Sequence, residues 1–361
     1  MKFLVISLAG IGDTLFATPV IHELRANFPD AVIDALVLWP GSRDVLEGNP
    51  HLNTVYQKNL LAASWVAALK FFSGLRPNRY DVSLNTHPQS RIHYRVAARV
   101  IGAPVRISHN YDHANFVDRC LVNRMMPQDY SRHSIENNLA LLALLGVKPK
   151  LTRHGYEIFL SRDEESWATE FVAKQNLAGR RLLGVHVGSG GTKNLALRRW
   201  PLEHYVELFR KLNRERPDVS VLLLGGPEER AAHGMILGQT RSSLVLQPET
   251  RSLRQAAALL KRCHAFLSVD TSLMHVAAAV AVPKQIVIET PTFNRTIEPF
   301  GRDYLLVSNP AVAGRNLDFY RYDGRGIRGT REEIVRCMAS VTVDTVYRVV
   351  ENALPSHAVP P

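Results

Sequence analysis

The stretch Ala265-Phe-Leu-Ser-Val269-Asp270-Thr-Ser-Leu-Met-His275 decides the fold. An apolar run stops in Asp-Thr-Ser and passes into the small-residue helix Val276–Ala281. A buried strand that turns at once into a helix leaves backbone N–H groups open at the helix N-terminus. That is an anion site, suited to phosphate or pyrophosphate. Its counterpart stands at the other end of the chain, where the strand-like run Lys2–Leu8 breaks into Ala9-Gly-Ile-Gly-Asp13. This glycine loop delivers a carboxylate. A phosphate cradle in one half and a carboxylate in the other predict a two-domain enzyme.

Between these ends, apolar strand-like runs alternate with helical patterns, which implies parallel sheets with crossover helices. In the first half the runs are Lys2–Leu8, Ala31–Leu38, Thr54–Tyr56, Asp81–Asn85 and Val105–Ser108. In the second half they are Leu182–Val187, Val219–Leu224, Leu244–Leu246, Ala265–Val269 and Gln285–Ile288. Thr18-Pro19 reads as an N-cap with proline at the first helical position, so a helix is expected from there to Asn27, with Asp13 on its approach. Ile135–Leu145 reads as a helix ending at Gly146, and Glu332–Ala353 as one closing helix. The expected domains are 1–155 and 181–353, with a connection over 156–180 and a frayed tail over 354–361.

A chain of 361 residues with 46% hydrophobic and 21% charged residues fits two soluble α/β domains. Cys120, Cys263 and Cys337 are too dispersed for a disulfide framework, and the 14 histidines show no zinc spacing, so no metal site is expected. The N-terminus reads as a first strand, not a signal peptide, and no apolar run is long enough to span a membrane. A cytoplasmic setting follows from these readings. Leu60–Leu75 is apolar on nearly every face and suits either a core helix or a helix with one side on lipid. Net charge is +11 and is denser before Gly155 than after it. The excess is either a generally basic surface or the mark of a large anionic ligand on the N-terminal half. No helix-turn-helix, zinc finger or aromatic-basic stripe points to nucleic acid.

Several residues are candidates for chemistry. Gly10 and Gly12 let backbone approach a ligand, but Leu15 stands where a dinucleotide fingerprint needs its third glycine. Asp13 either meets a ligand at the carboxyl end of a parallel strand or only caps the following turn. Gly188-Ser189-Gly190-Gly191-Thr192-Lys193, followed by Arg198, offers N–H groups, hydroxyls and cations to a diphosphate, or is simply a basic loop. After the strand ending in Gly225-Gly226, Glu228 can accept from ribose hydroxyls or only favour a helix N-terminus. Ser272 and Leu273 sit where helix N–H groups open, and His275 either touches ligand or packs beneath the turn. Asp-x-Asp is absent, so the charge of a leaving diphosphate is expected to fall on cations and helix dipoles without a metal.

Together these segments resemble the lipopolysaccharide heptosyltransferase family, glycosyltransferase family 9, from Met1 to about Gly301. Gly12-Asp13 with Thr18-Pro19 is similar to the family's G-D…P signature. His186 through Arg198-Arg-Trp-Pro201 is similar to its H-x-G…K-x-W-P stretch. Asp270-Thr-Ser-Leu-Met-His275, then Pro283 and Thr290-Pro-Thr292, is similar to D-S/T-G-x-x-H…P…G-P-T. Ser272 and Thr290 stand where the family has glycines, and the loop between His186 and Trp200 is long for it.

The resemblance implies a GT-B fold, two Rossmann-like domains facing a cleft, with acceptor on the N-terminal domain and nucleotide sugar on the C-terminal one. It implies inverting, metal-independent transfer from an ADP-sugar, with ADP-heptose the first choice, to a lipopolysaccharide inner-core acceptor. No cofactor is expected, and the glycolipid acceptor would bring peripheral contact with the inner membrane. Asp13 takes the place of the catalytic base. The donor set is Gly12, Ser189, Gly190, Thr192, Lys193, Arg198, Glu228, Asp270, Thr271, Ser272, Leu273 and His275. Two rivals remain: a sugar-nucleotide epimerase of the same two-domain architecture, and a non-catalytic binder of anionic polymers.

Overall fold

The computed structural model describes residues 1–190, 195–312 and 330–355. The chain divides into two units. Unit 1 comprises Met1–Phe159 with Arg295–Gly301, and unit 2 takes up the chain at Leu160. Arg295–Gly301, expected in the second domain, thus groups with unit 1.

Unit 1 runs β1 (Lys2–Ser7), α1 (Ile11–Asn27), β2 (Val32–Val37), α2 (Pro40–Leu46), β3 (Thr54–Gln57) and α3 (Trp65–Ser73). It continues with β4 (Val82–Asn85), α4 (Ile92–Ile101), β5 (Val105–Asn110), α5 (Phe116–Leu121), β6 (Arg124–Pro127) and α6 (Ser134–Ala140). The sheet order is β3-β2-β1-β4-β5-β6, all parallel. Parallel strands with helical crossovers are covered on both faces, which is why the central strand β1 is buried from Phe3 onward.

Unit 2 opens with α7 (Arg162–Lys174), β7 (Arg181–His186), α8 (Leu202–Glu215), β8 (Val219–Leu223), α9 (Arg230–Thr240) and β9 (Val245–Leu246). Then come α10 (Leu253–Leu260), β10 (Ala265–Ser268), α11 (Ser272–Ala279), β11 (Lys284–Ile288), β12 (Tyr304–Val307), α12 (Arg331–Ala339) and α13 (Val343–Ala353). Its order, β12-β11-β10-β7-β8-β9, is the topology of unit 1 repeated. In each unit the order reverses beside the first strand, and open parallel sheets bind ligands at that point, past the carboxyl ends of the strands. Trp200 is fully buried in the unit 2 core, and its indole N–H donates to Val341 O at 2.9 Å.

Several sequence expectations change. Helix α1 begins at Ile11, not at Thr18, and carries Pro19 inside it. Pro19 has no N–H to give Leu15 O, and the Thr18 hydroxyl donates to that carbonyl instead at 2.8 Å. Asp13 is thus within the helix, at its third residue. The helix after Asp270 starts at Ser272, earlier than the small-residue run suggests. Leu60–Leu75 is helical only over Trp65–Ser73. The expected helix ending at Gly146 is α6 followed by a tighter turn over Leu141–Leu145, and Gly146 does take a positive φ of 75°. The closing helix is two, because Thr342 caps α13 by accepting from Thr345 N at 3.3 Å.

Candidate functional site

In unit 2, β7 and β10 are neighbours, so the loops that follow them open side by side. His186 ends β7, and its Nδ1 lies 2.9 Å from the Thr271 hydroxyl. Thr271 is the N-cap of α11, but its side chain does not cap the helix. The hydroxyl is held by His186 and does not take up the first N–H groups of α11, and a helix start of this kind can receive an anion. Arg198 Nη1 lies 2.8 Å from Asp270 Oδ2 and 2.5 Å from Thr292 Oγ1. Three separate motifs thereby meet at one helix start. Arg198 Nε is buried with no hydrogen-bond partner, so the guanidinium retains a donor. Asp270 and Thr271 are buried, Ser272 half-buried and Leu273 buried at the start of α11. Ser189 and His275 are buried as well, and Gly190 carries a φ of 79°.

The acids after β8 separate in space. Glu228 is exposed, whereas Glu229 turns inward. Its Oε2 accepts from Gly226 N at 2.9 Å, and Arg199 and His186 lie 3.6 and 3.9 Å from the carboxylate. Burial alone would raise its pKa, but the His186 contact and charge, the Gly226 N–H and Arg199 outweigh it and hold Glu229 at about 2. A Cβ on Gly188 would stand 2.3 Å from Glu229 Oε1, which is why that position needs glycine. Sequence reasoning passed over Glu229 because nothing in two adjacent glutamates says which one the turn folds inward. Arg199 and Thr292 stand in the motifs Arg198-Arg-Trp-Pro201 and Thr290-Pro-Thr292, but only their partners in space mark them out, Glu229 for Arg199 and Arg198 for Thr292. Thr192 and Lys193 lie outside the described residues.

In unit 1 the corresponding loops follow β1 and β4. Asp13 Oδ2 accepts from Gly10 N at 2.6 Å, so the carboxylate caps α1. A side chain on Gly10 would press on it, with Cβ 2.9 Å from Oδ2. Gly12 lies in the first turn of α1 in unit 1, whereas the rest of the expected donor set belongs to unit 2. Burial raises the pKa of Tyr94, with the charge of Asp13 adding to the rise and Arg91 opposing it. The loop after β4, not singled out from sequence, supplies Gln89. Its Oε1 accepts from Leu8 N at 3.0 Å, and its amide donates to Ile6 O and Thr86 O.

Behind this loop lies a buried aromatic group. His87 Nδ1 is 3.1 Å from the Tyr111 hydroxyl, and His109 Nε2 is 3.0 Å from Asn137 O. Burial lowers His87 well below the ordinary histidine range. Burial also takes His109 to about 4, with Arg95 lowering it further and the Asn137 carbonyl opposing.

One group of metal-capable side chains converges among the described residues: His22, His51 and Glu157, with ligating atoms within 4.8 Å. The two rings stack with centroids 3.7 Å apart and planes at 15°. Lone pairs of stacked rings run side by side and do not meet at one ion. The contact is accounted for by the His22 Nδ1 to Glu157 hydrogen bond at 2.7 Å.

The family model for glycosyltransferase family 9 (heptosyltransferase) matches residues 68–318, and the chain belongs to that family. It is 27% identical over 280 residues to lipopolysaccharide heptosyltransferase 3 of Escherichia coli, covering 75% of this chain and 78% of that protein. A solved glycosyl transferase family 9 structure from Veillonella parvula aligns with a TM-score of 0.77 at 18% identity, over 98% of this chain and 97% of the other. The Escherichia coli ADP-heptose lipopolysaccharide heptosyltransferase II aligns with a TM-score of 0.71 at 22% identity, over 98% of each chain. The protein is a glycosyltransferase of GT-B fold, of the family that acts in lipopolysaccharide biosynthesis.

Proposed function

We propose that the protein transfers a heptose from ADP-heptose to a lipopolysaccharide inner-core acceptor, with inversion and without a metal ion or other cofactor. The observation that carries this reading is the meeting of Arg198, Asp270, Thr271 and Thr292 at the uncapped start of α11. Such a start binds a diphosphate through backbone N–H groups and the helix dipole, and Arg198 adds a charged donor. Asp270 fixes the guanidinium and Thr292 steadies it. A solved protein of the same fold, named for ADP-heptose, supports that donor.

In this mechanism the acceptor hydroxyl attacks the anomeric carbon and gives its proton to Asp13. The bond from that carbon to the diphosphate oxygen breaks, and ADP leaves with the electron pair. The new negative charge falls on Arg198 and the N-terminus of α11, where fixed dipoles meet it without reorganisation. One displacement inverts the anomeric centre. The acceptor would hold the protein peripherally at the cytoplasmic face of the inner membrane. No helix among the described residues is long and apolar enough to cross a membrane.

Incubation with ADP-heptose in excess chelator, with and without acceptor, tests this reading. ADP should be released only with acceptor, and the product should have the opposite anomeric configuration. Donor consumed without acceptor would favour the epimerase, and activity abolished by chelator and restored by magnesium or manganese would overturn the metal-free mechanism.

A further inference from the structure

The first unit carries an apolar edge that the transfer reaction does not use. Strands β3, β4 and β5 are parallel members of one sheet, so the helices that follow them all start at its carboxyl edge. Helices α3, α4 and α5 pack in that order, α3 on α4 and α4 on α5. Their starts form a row about 20 Å long, since packed helices lie roughly 8–10 Å apart. Large apolar side chains stand along it in the open. Trp65 and Val66 begin α3 and are 61% and 73% exposed, and Phe116 and Val117 begin α5 at 78% and 49%. Leu61 precedes α3, and Ile92 begins α4, both exposed. The inner side of α3 is used differently: Phe72 is buried in the unit 1 core, with Ala68 and Phe71 packed against it. The outer residues are therefore surplus to folding. An exposed apolar row of this kind marks a contact surface.

The charge around it selects the partner. Lys58, Arg91 and Arg119 are exposed along the same edge, against Asp112, while Arg132 and Asp129 beyond β6 pair with each other at 3.0 Å. Asp118 is not among the exposed acids, since it is buried in an ion pair with Arg95. Tryptophan and other large apolar side chains ringed by Lys and Arg suit the interface of an anionic bilayer, where the rings sit at headgroup level and the cations meet lipid phosphates.

We propose that the row formed by the starts of α3, α4 and α5 docks this protein on an anionic phospholipid surface. The first turn of α1, which carries Asp13, follows β1 and stands at the same carboxyl edge of the sheet. Docking this edge brings a lipid-borne sugar to the side of the unit that carries the base. That consequence rests on the function proposed above; the docking itself does not.

The test uses the full chain and vesicles of phosphatidylcholine containing a quarter phosphatidylglycerol, compared with vesicles of phosphatidylcholine alone. The variants are Trp65→Ser with Val66→Ser, and Phe116→Ser with Val117→Ser. The parent should co-sediment with the anionic vesicles, less so as salt rises. Each variant pair should lower the partition coefficient at least about tenfold, because two large apolar groups no longer leave water. Melting temperature, and turnover of a deacylated water-soluble acceptor, should match the parent. A parent that ignores anionic vesicles, or variants that bind as the parent does, would overturn the proposal. So would a parent dimer that the substitutions dissolve, since a second copy would then be the occupant. If no protein turns over the soluble acceptor, the proposed reaction fails while the vesicle measurement still decides the docking surface.

Discussion

The two units share one strand order, yet what stands past their central strands is opposite in character. Beyond β7, β8 and β10 stand pairs of opposite charge, Arg198 with Asp270 at 2.8 Å and Arg199 with Glu229 at 3.6 Å. Beyond β1 and β4 the buried groups include the amide of Gln89, the Tyr111 hydroxyl and two histidines held neutral by burial, with Asp13 at the helix start. Under the proposed function, the difference follows from what each half would do. A leaving diphosphate develops charge that fixed ions and dipoles stabilise. An acceptor hydroxyl only has to lose a proton, which needs one base in rigid surroundings.

The strongest way to break this contrast is Asp13→Asn. Asparagine caps a helix about as well as aspartate, so the melting temperature should barely move. Proton removal contributes typically about 10²–10⁴-fold, so kcat should fall by at least about two decades while donor binding holds. Turnover within a few-fold of the parent would reduce Asp13 to a cap and leave unit 1 without its base.

Arg198→Ala tests the other side. A charge-assisted hydrogen bond is worth about 1.5–3 kcal/mol, or roughly one to two decades in donor affinity or transfer. Acceptor KM should be nearly unchanged. Because the substitution also strands the buried Asp270 carboxylate, Arg198→Ala should be read beside Arg198→Ala with Asp270→Asn. If neither alters donor KM or kcat, the ion pair is structural only.

The buried histidines sharpen the comparison through acid stability. His109 has a folded pKa of about 4 against an ordinary 6.5, so the unfolded chain takes up its proton first as pH falls. The stability it contributes is complete above pH 6.5 and is lost between 6.5 and about 4, by at most about 3 kcal/mol. In unit 2, Glu229 at about 2 against 4.5 acts lower, its contribution being lost between pH 4.5 and about 2. Denaturant titrations should show a flatter profile for His109→Gln in the upper window and for Glu229→Gln in the lower one. Unchanged profiles would remove the electrostatic distinction between the two interiors.

The smallest effect expected is that of salt. If the basic excess of the N-terminal half meets a phosphorylated acceptor, acceptor KM should rise severalfold between low and physiological ionic strength, where the Debye length is about 8 Å. Donor KM should change less, since its contacts are close and partly buried. An acceptor KM indifferent to salt would return the excess to general surface charge.

Much of the architecture is legible in the residues because both signals are local. Buried parallel strands are continuous apolar runs, and Ala9-Gly10, Gly188 and Asp270 end three of them. The strands that escape notice, β6 and β12, are edge strands with exposed positions, and Tyr304–Val307 has two of its four residues in the open. They exist because a neighbour offers its backbone, which no short window records. The start of α1 escapes for a related reason. Thr18-Pro19 has the local form of a helix start, and only the Thr18 hydroxyl on Leu15 O lets the helix run through it.

The sequence by itself determined the two-unit α/β class, the strand-to-helix turn at Asp270 and the glycine turn that leads from β1 to Asp13, because each depends on residues adjacent in the chain. Tertiary structure alone decided that Thr271 is held by His186 and so leaves α11 uncapped, that Glu229 and not Glu228 turns inward, and that Arg198 settles between Asp270 and Thr292. Those partners lie 72 to 94 residues apart, and the pairing of β7 with β10 brings the loops carrying His186 and Thr271 side by side. A charge or hydrogen bond depends on distance in space, and sequence spacing carries that distance only within a single helix, strand or turn.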